Sequence, residues 1–328
     1  MKKTKKDQSE WDRRDFLTCM AWVGTGALWT LAGGVLKGVP IEQAARGAMG
    51  GVALGKGGLR FVQISDSHIG FNKEANKDVT ATLREAVAKI KAAPEQPSFL
   101  LHTGDLTHLS KPAEFDTLQQ VVGELSMPVF YVPGEHDVLE DDGKSYLQRF
   151  GKGTQGAGWQ SFDQGGVHFI GLVNVVNLKA GGLGSLGDEQ LEWLEQDVKR
   201  LTSSTPIVVF AHIPLWSVYP EWGWGTEDSA RALAYLKRFG SVSVLNGHIH
   251  QVMQKVEGHV SFHTAMSTAF PQPAPGSAPS PGPMKVDADR LKKVLGISRM
   301  SFHDVNHPIA ITDVPLEEEK KTAATVGL

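Results

Sequence analysis

Five short groups of histidines and carboxylates stand out in this 328-residue sequence: Asp66-Ser67-His68, Gly104-Asp105, Gly134-Glu135-His136-Asp137, Ala211-His212 and Gly247-His248-Ile249-His250. Imidazole nitrogen and carboxylate oxygen are ligands for borderline and hard metal ions. The sole cysteine, Cys19, precedes all five groups, so thiolate sites and disulfides are excluded from the rest of the chain. Two ions held ~3.5–4 Å apart suit phosphoryl transfer, because they polarise phosphoryl oxygens and generate hydroxide near neutral pH. Taken singly, each group is weak. A lone strand histidine is more often a core residue than a ligand, and Gly-Asp after a strand can be only a turn. Their shared placement carries the argument.

Each group follows an apolar run that reads as a strand: Leu59–Ser65, Phe99–Thr103, Val129–Val132, Ile207–Ala211 and Val242–Leu245, with a further run at Val167–Val173. Helical periodicity lies between them. Val79, Leu83, Val87 and Ile90 share one helical face, and Leu191, Leu194, Val198 and Leu201 share another. Strand and helix in alternation predict a layered α/β domain, and loops at the carboxyl ends of its strands are where distant residues converge. The periodic apolar residues are core and receive no chemistry.

Asp-x-His, Gly-Asp, Gly-Asn-His-Asp, His and Gly-His-x-His, in that order, resemble the calcineurin-like metallophosphoesterases. The resemblance runs from about Leu59 to Ala269 and is nearest to the bacterial branch similar to class III cyclic-nucleotide phosphodiesterases and purple acid phosphatases. It implies a four-layer αββα sandwich and two divalent or mixed-valence ions of iron, manganese or zinc. One ion would be bound by Asp66, His68 and His250 and the other by His212 and His248, with Asp105 bridging. A metal-bridged hydroxide would attack the phosphorus of a mono- or diester, and His136 would protonate the leaving oxygen.

Two positions depart from the pattern. Glu135 stands where the family has asparagine, and is read here as a direct ligand of the second ion. His108 replaces an aspartate that often orients the catalytic histidine, which leaves His136 without a carboxylate partner and with a lowered pKa. A competing reading follows from these departures: a catalytically weakened or inactive relative that binds a phosphorylated ligand or a protein.

Other residues divide less sharply. His102 and His168 lie in strands and His259 and His263 in a late hairpin, and all four read as structural or exposed; His303 and His307 lie outside the pattern. Trp216, Tyr219, Trp222 and Trp224 follow His212 closely. They form either a substrate-facing wall, with Trp216, Trp222 and Trp224 as binding residues, or a seal for the loop. Residues 271–283, dense in proline, read as a surface insertion, and residues 317–328 as a polar tail.

The chain opens with Lys2, Lys3, Lys5 and Lys6, then Arg13-Arg14-Asp15-Phe16-Leu17 and an apolar stretch. Residues 1–48 therefore read as a twin-arginine export signal served by that machinery, with a glycine-rich linker at 49–58 before the domain at 59–316. A periplasmic or otherwise exported protein follows, anchored if the signal is not cleaved; a transmembrane anchor is the alternative. With 41% hydrophobic and 21% charged residues the chain reads as soluble and globular. A net charge of -3 argues against a nucleic-acid partner, which needs a basic face. A small phosphorylated substrate is expected, and no stable protein partner is inferred.

Overall fold

The computed structural model describes residues 27–32, 35–40, 58–304 and 309–317. The twin arginines, the basic start, the linker up to residue 57, His307 and the tail beyond residue 317 lie outside the described residues. The chain divides into two compact units, Met1–Ala53 and Leu54–Leu328. In the first unit, β1 (Ala27–Ala32) and β2 (Val35–Pro40) pair antiparallel. No helix among the described residues is long and apolar enough to cross a membrane.

The second unit holds two sheets. The first contains β3 (Leu59–Ile64), β4 (Leu100–His102) and β5 (Val129–Tyr131), which are parallel, extended on the other side of β3 by the antiparallel late strands β12 (Gly296–Phe302) and β13 (Ala310–Pro315). The second sheet has the order β10-β11-β9-β8-β7-β6. Its strands are β6 (Gln160–Gln164), β7 (Val167–Gly171), β8 (Ile207–Ala211), β9 (Val242–Asn246), β10 (Gln254–Glu257) and β11 (Val260–Thr264). Strands β7, β8, β9 and β11 run parallel.

Alternation along the strands sorts side chains into three cores. Leu59 and Phe61 of β3 and Val208 and Phe210 of β8 meet between the sheets, with Phe169, Met300 and Phe302. The opposite faces point outward. Val62 and Ile64 meet helices α1 (Val79–Lys91) and α2 (Pro112–Val122), while Ile207 and Val209 meet α4 (Asp188–Val198) and α5 (Ser229–Leu236). A helix layer therefore covers the outer face of each sheet, which is the expected αββα sandwich. Strands buried on both faces read as continuous apolar runs, which makes them visible in the sequence. The remaining helices, α3 (Lys144–Phe150) and α6 (Ala288–Val294), are short.

Candidate metal centre

The parallel strands of both sheets deliver their carboxyl ends to one place. Asp66 and His68 follow β3 and Asp105 follows β4 in the first sheet; His212 follows β8 and His248 and His250 follow β9 in the second. Backbone bonds pin these loops together: Asp66 N–H donates to Gly104 O at 3.0 Å, His68 N–H to Asp105 O at 2.9 Å and Gly247 N–H to His212 O at 3.0 Å.

Five of these residues have left-handed backbone: Asp66 (φ 54°), His68 (40°), Asp105 (50°), His248 (71°) and His250 (55°). Such conformations cost roughly 1–3 kcal/mol for a non-glycine residue and persist where surrounding contacts enforce them. The neighbouring glycines allow the close approach. A Cβ at Gly134 would collide with the Asp105 carboxylate, and one at Gly247 with Ser65 Oγ.

The ligand atoms fall into two groups with Asp105 between them. His250 Nε2 lies 3.3 Å from Asp66 Oδ1 and 3.2 Å from His68 Nε2. In the other group, Glu135 Oε2 is 2.9 Å from His212 Nε2 and its Oε1 is 3.0 Å from His248 Nδ1. Asp105 Oδ2 is 3.4 Å from both His68 Nε2 and His212 Nε2. Asp66, His68, Asp105, His212 and His250 are buried, while His248 and Glu135 are partly exposed.

Apart from the His68–His250 contact, these short distances are not aligned hydrogen bonds. His212 Nε2, His248 Nδ1 and Glu135 Oε2 are buried atoms without a hydrogen-bond partner. Buried polar atoms are nearly always paired, so lone pairs that converge on common points instead of on one another fit a cation at those points. The outward ring nitrogens agree. His212 Nδ1–H donates to Thr103 O at 2.7 Å and His250 Nδ1–H to Phe270 O at 2.6 Å, which turns each Nε2 inward.

The electrostatics follow from burial and crowding. Burial raises the Asp66 carboxyl, but His250 and His212 outweigh it and bring the group to about 2. Burial likewise opposes ionisation of Glu135, and the adjacent His248 and His212 hold it well below the carboxylate range. Burial among His136, His250 and His108 keeps His68 neutral, as a ligand must be.

His136 differs from expectation. Its Nδ1–H donates to the main-chain carbonyl of His108 at 2.7 Å, so backbone replaces the missing aspartate as the orienting group. Burial alone would depress its pKa, but the Asp105 and Glu135 carboxylates and the His108 carbonyl raise it above the usual value. The lowered pKa expected from the sequence is therefore corrected: Glu135 supplies nearby what position 108 no longer does. The His108 side chain stacks on His136, with ring centroids 5.0 Å apart.

Asp137 has a role that its place in the Gly-Glu-His-Asp group does not announce. Its buried carboxylate accepts from the backbone N–H groups of Leu106 (3.0 Å), Thr107 (2.8 Å) and Gly134 (2.9 Å), and from Thr107 Oγ1 (2.8 Å). It thereby clamps the loop carrying Asp105 to the turn carrying Glu135 and His136. The expected structural histidines are placed as follows. His102 is buried 2.9 Å from Ser67 Oγ and burial drives its pKa down to about 3. His168 is buried between Asp163 and Asp197, and His263 between Gln254 and Asp313.

The tryptophan cluster splits. Trp216 is buried in the core against Phe262, ring centroids 5.1 Å apart, so its assignment to substrate binding is corrected. Trp222, half-buried, and Trp224, almost wholly buried, line a cleft of about 300 Å³ that Glu135, His136 and His248 also line. Residues 271–283 form neither helix nor strand, as expected, yet they are more than a surface insertion. Gln272 Nε2 donates to His248 O at 2.9 Å, and Gln272, Pro281 and Gly282 complete the cleft wall.

Comparison with known proteins agrees with this geometry. Over 218 residues the chain is 27% identical to a 3',5'-cyclic-nucleotide phosphodiesterase of Nostoc sp., covering 65% of this chain and 79% of the relative. Over 231 residues it is 25% identical to the glycerophosphodiester phosphodiesterase GpdQ of Enterobacter lignolyticus, covering 66% and 79%. Purple acid phosphatase PPD1 from yellow lupin shares the fold at a TM-score of 0.57 and 12% identity, over 79% of this chain and 51% of that one. Residues 59–252, more than half of the chain, match the family profile of the calcineurin-like phosphoesterases, and the protein belongs to that family of hydrolases acting on phosphate esters.

Proposed function

We propose that this chain is a binuclear metal-dependent phosphodiesterase acting outside the cytoplasm. The observation that carries the reading is the convergence of carboxylate and imidazole ligand atoms in two groups on either side of Asp105, with His212 Nε2, His248 Nδ1 and Glu135 Oε2 buried and unpartnered in one of them. Asp66, His68 and His250 would hold one ion and Glu135, His212 and His248 the other. Bound there, iron, manganese or zinc ions supply the Lewis acidity that activates water and polarises the phosphoryl group. The chain's own part is positional. His136, fixed through Nδ1, keeps its Nε2 for the leaving oxygen, and its raised pKa suits a proton donor near neutral pH.

A diester is favoured over a monoester because the two sequence relatives above are both named phosphodiesterases. The export part of the proposal rests on Arg13-Arg14 and the basic start of the chain. The test is metal content per chain together with hydrolysis of bis-p-nitrophenyl phosphate and p-nitrophenyl phosphate, with Mn²⁺, Fe²⁺ or Zn²⁺ added. Two ions per chain and faster diester turnover are expected. Bound metal without turnover of any ester would overturn the catalytic reading in favour of a binding protein.

A further inference from the structure

The cleft beside His136 has an uneven chemistry. Its floor is polar: Glu135, His136 and His248. Its walls are Leu178, Trp222, Trp224, Pro281 and the glycines Gly182 and Gly282, with Gln272 the one polar side chain among them; the Trp222 and Trp224 rings meet edge to face, centroids 5.1 Å apart. Among the described residues no lysine or arginine lines it. Lys73, close enough to influence His108, is not part of this lining. A second anionic group on a substrate would therefore find no partner in these walls.

Leu178 is also one of the exposed apolar side chains of the domain. Seven large hydrophobic residues are exposed among the described residues. One of them, Leu178, lines the cleft, and Val176 and Met284 lie two residues along the chain from the lining residues Leu178 and Gly282. Leu109 and Leu139 flank Ser110, whose Oγ donates to His136 O at 2.7 Å and accepts from Leu139 N–H at 3.0 Å. Leu178 is 42% exposed on the loop that includes Gly182, and Met284 N–H donates to Pro271 O at 2.9 Å beside Gln272. Scattered exposed leucines need no explanation, but an exposed leucine that lines a cleft together with tryptophan and proline offers an apolar binding surface.

We propose that this cleft selects phosphodiesters whose departing alcohol is apolar, an alkyl chain or aromatic ring lying on Leu178, Trp222 and Pro281. The inference rests on the catalytic reading only for which ester group occupies the cleft, since His136 there would protonate the leaving oxygen. Leu178 and Trp222 are specificity-determining residues on this view. They are partly exposed, so replacing them leaves the cores intact.

The test uses methyl, butyl and octyl esters of methylphosphonic acid, which carry the same single charge and differ only in chain length. Their inhibition constants against bis-p-nitrophenyl phosphate hydrolysis are measured with the metal-loaded protein. In parallel their dissociation constants are read from tryptophan fluorescence, which needs no turnover. Full burial of a methylene is worth ~4-fold in affinity, so half-burial on an open wall predicts about 2-fold per methylene from methyl to butyl. That slope is expected to flatten in Leu178→Asp and in Trp222→Ala, each judged against its own methyl ester. Affinity independent of chain length, or an unchanged slope in both variants, would overturn the proposal. If no diester is hydrolysed but the fluorescence slope persists, the catalytic reading fails and the apolar cleft stands. Hydrolysis without a slope means the converse: the catalytic reading stands and the apolar cleft fails.

Discussion

The imidazole of His136 is held by the backbone of His108: Nδ1–H to carbonyl oxygen, 2.7 Å, with the two rings stacked. An orienting bond from backbone survives any change of side chain at its source. His108→Ala is therefore expected to lower turnover by less than about 10-fold, whereas His136→Ala removes a proton donor worth ~100-fold or more. The loss in His136→Ala should grow as the leaving-group pKa rises, measured across a series of aryl phosphodiesters. Equal losses for good and poor leaving groups would refute the proton-donor role.

Asp105 lies between the two ligand groups and Glu135 belongs to one, so their substitutions should differ in kind. Asp105→Asn is expected to abolish metal loading and turnover together. Glu135→Asn removes one carboxylate from one ion, and should speed metal loss during dialysis against a chelator while leaving measurable activity. Metal analysis against dialysis time checks both. Retention equal to the parent in Glu135→Asn would make Glu135 a substrate-facing residue instead of a ligand.

Asp137 accepts four hydrogen bonds and is fully buried. Removing it strands buried backbone N–H groups, at about 1–3 kcal/mol for each group left unsatisfied. Asp137→Ala should lower the melting temperature and raise the hydrogen exchange of Leu106, Thr107 and Gly134 selectively. Uniform exchange across the domain would show that the clamp is not local.

His168 links stability to pH. Burial disfavours its charged form, but Asp197 and Asp163 outweigh this and raise its pKa above the usual value. A group with a raised folded pKa contributes its stability below its unfolded pKa of about 6.5 and loses it as pH rises through the folded value. The melting-temperature gap between wild type and His168→Asn should therefore be wider at acidic pH than in the alkaline range. A gap that does not change with pH would mean that the pairing is neutral.

For export, Arg13→Lys combined with Arg14→Lys should leave the protein in the cytoplasm, measured by cell fractionation. The motive is that the twin-arginine route carries folded proteins, in which the sites can already be loaded. Undiminished appearance of the double variant outside would identify a signal of another kind.

Legibility in the sequence follows burial. Strands sandwiched between two cores announce themselves as apolar runs, and Ile207–Ala211 is legible to the residue. Strands β6 and β10, at sheet edges, carry Gln160, Gln164, Gln254 and Glu257 and give no such run. β12 depends on β3, more than two hundred residues earlier, for its pairing, and no local pattern encodes that. At the site, residue types and order identify the groups that converge. The left-handed backbone at five of them, the Asp137 clamp and the burial of Trp216 arise from tertiary contacts, which spacing along the chain does not carry.

The late pairing of β12 also sets a timetable. β3 positions Asp66 and His68 at the middle of the first sheet, and one of its two neighbours is made of residues 296–302. The carbonyl that turns His250 inward belongs to Phe270. During synthesis the candidate ligands all leave the ribosome before the scaffold that aligns them is complete. Metal capture in the native arrangement would thus wait until residues 296–302 have paired with β3.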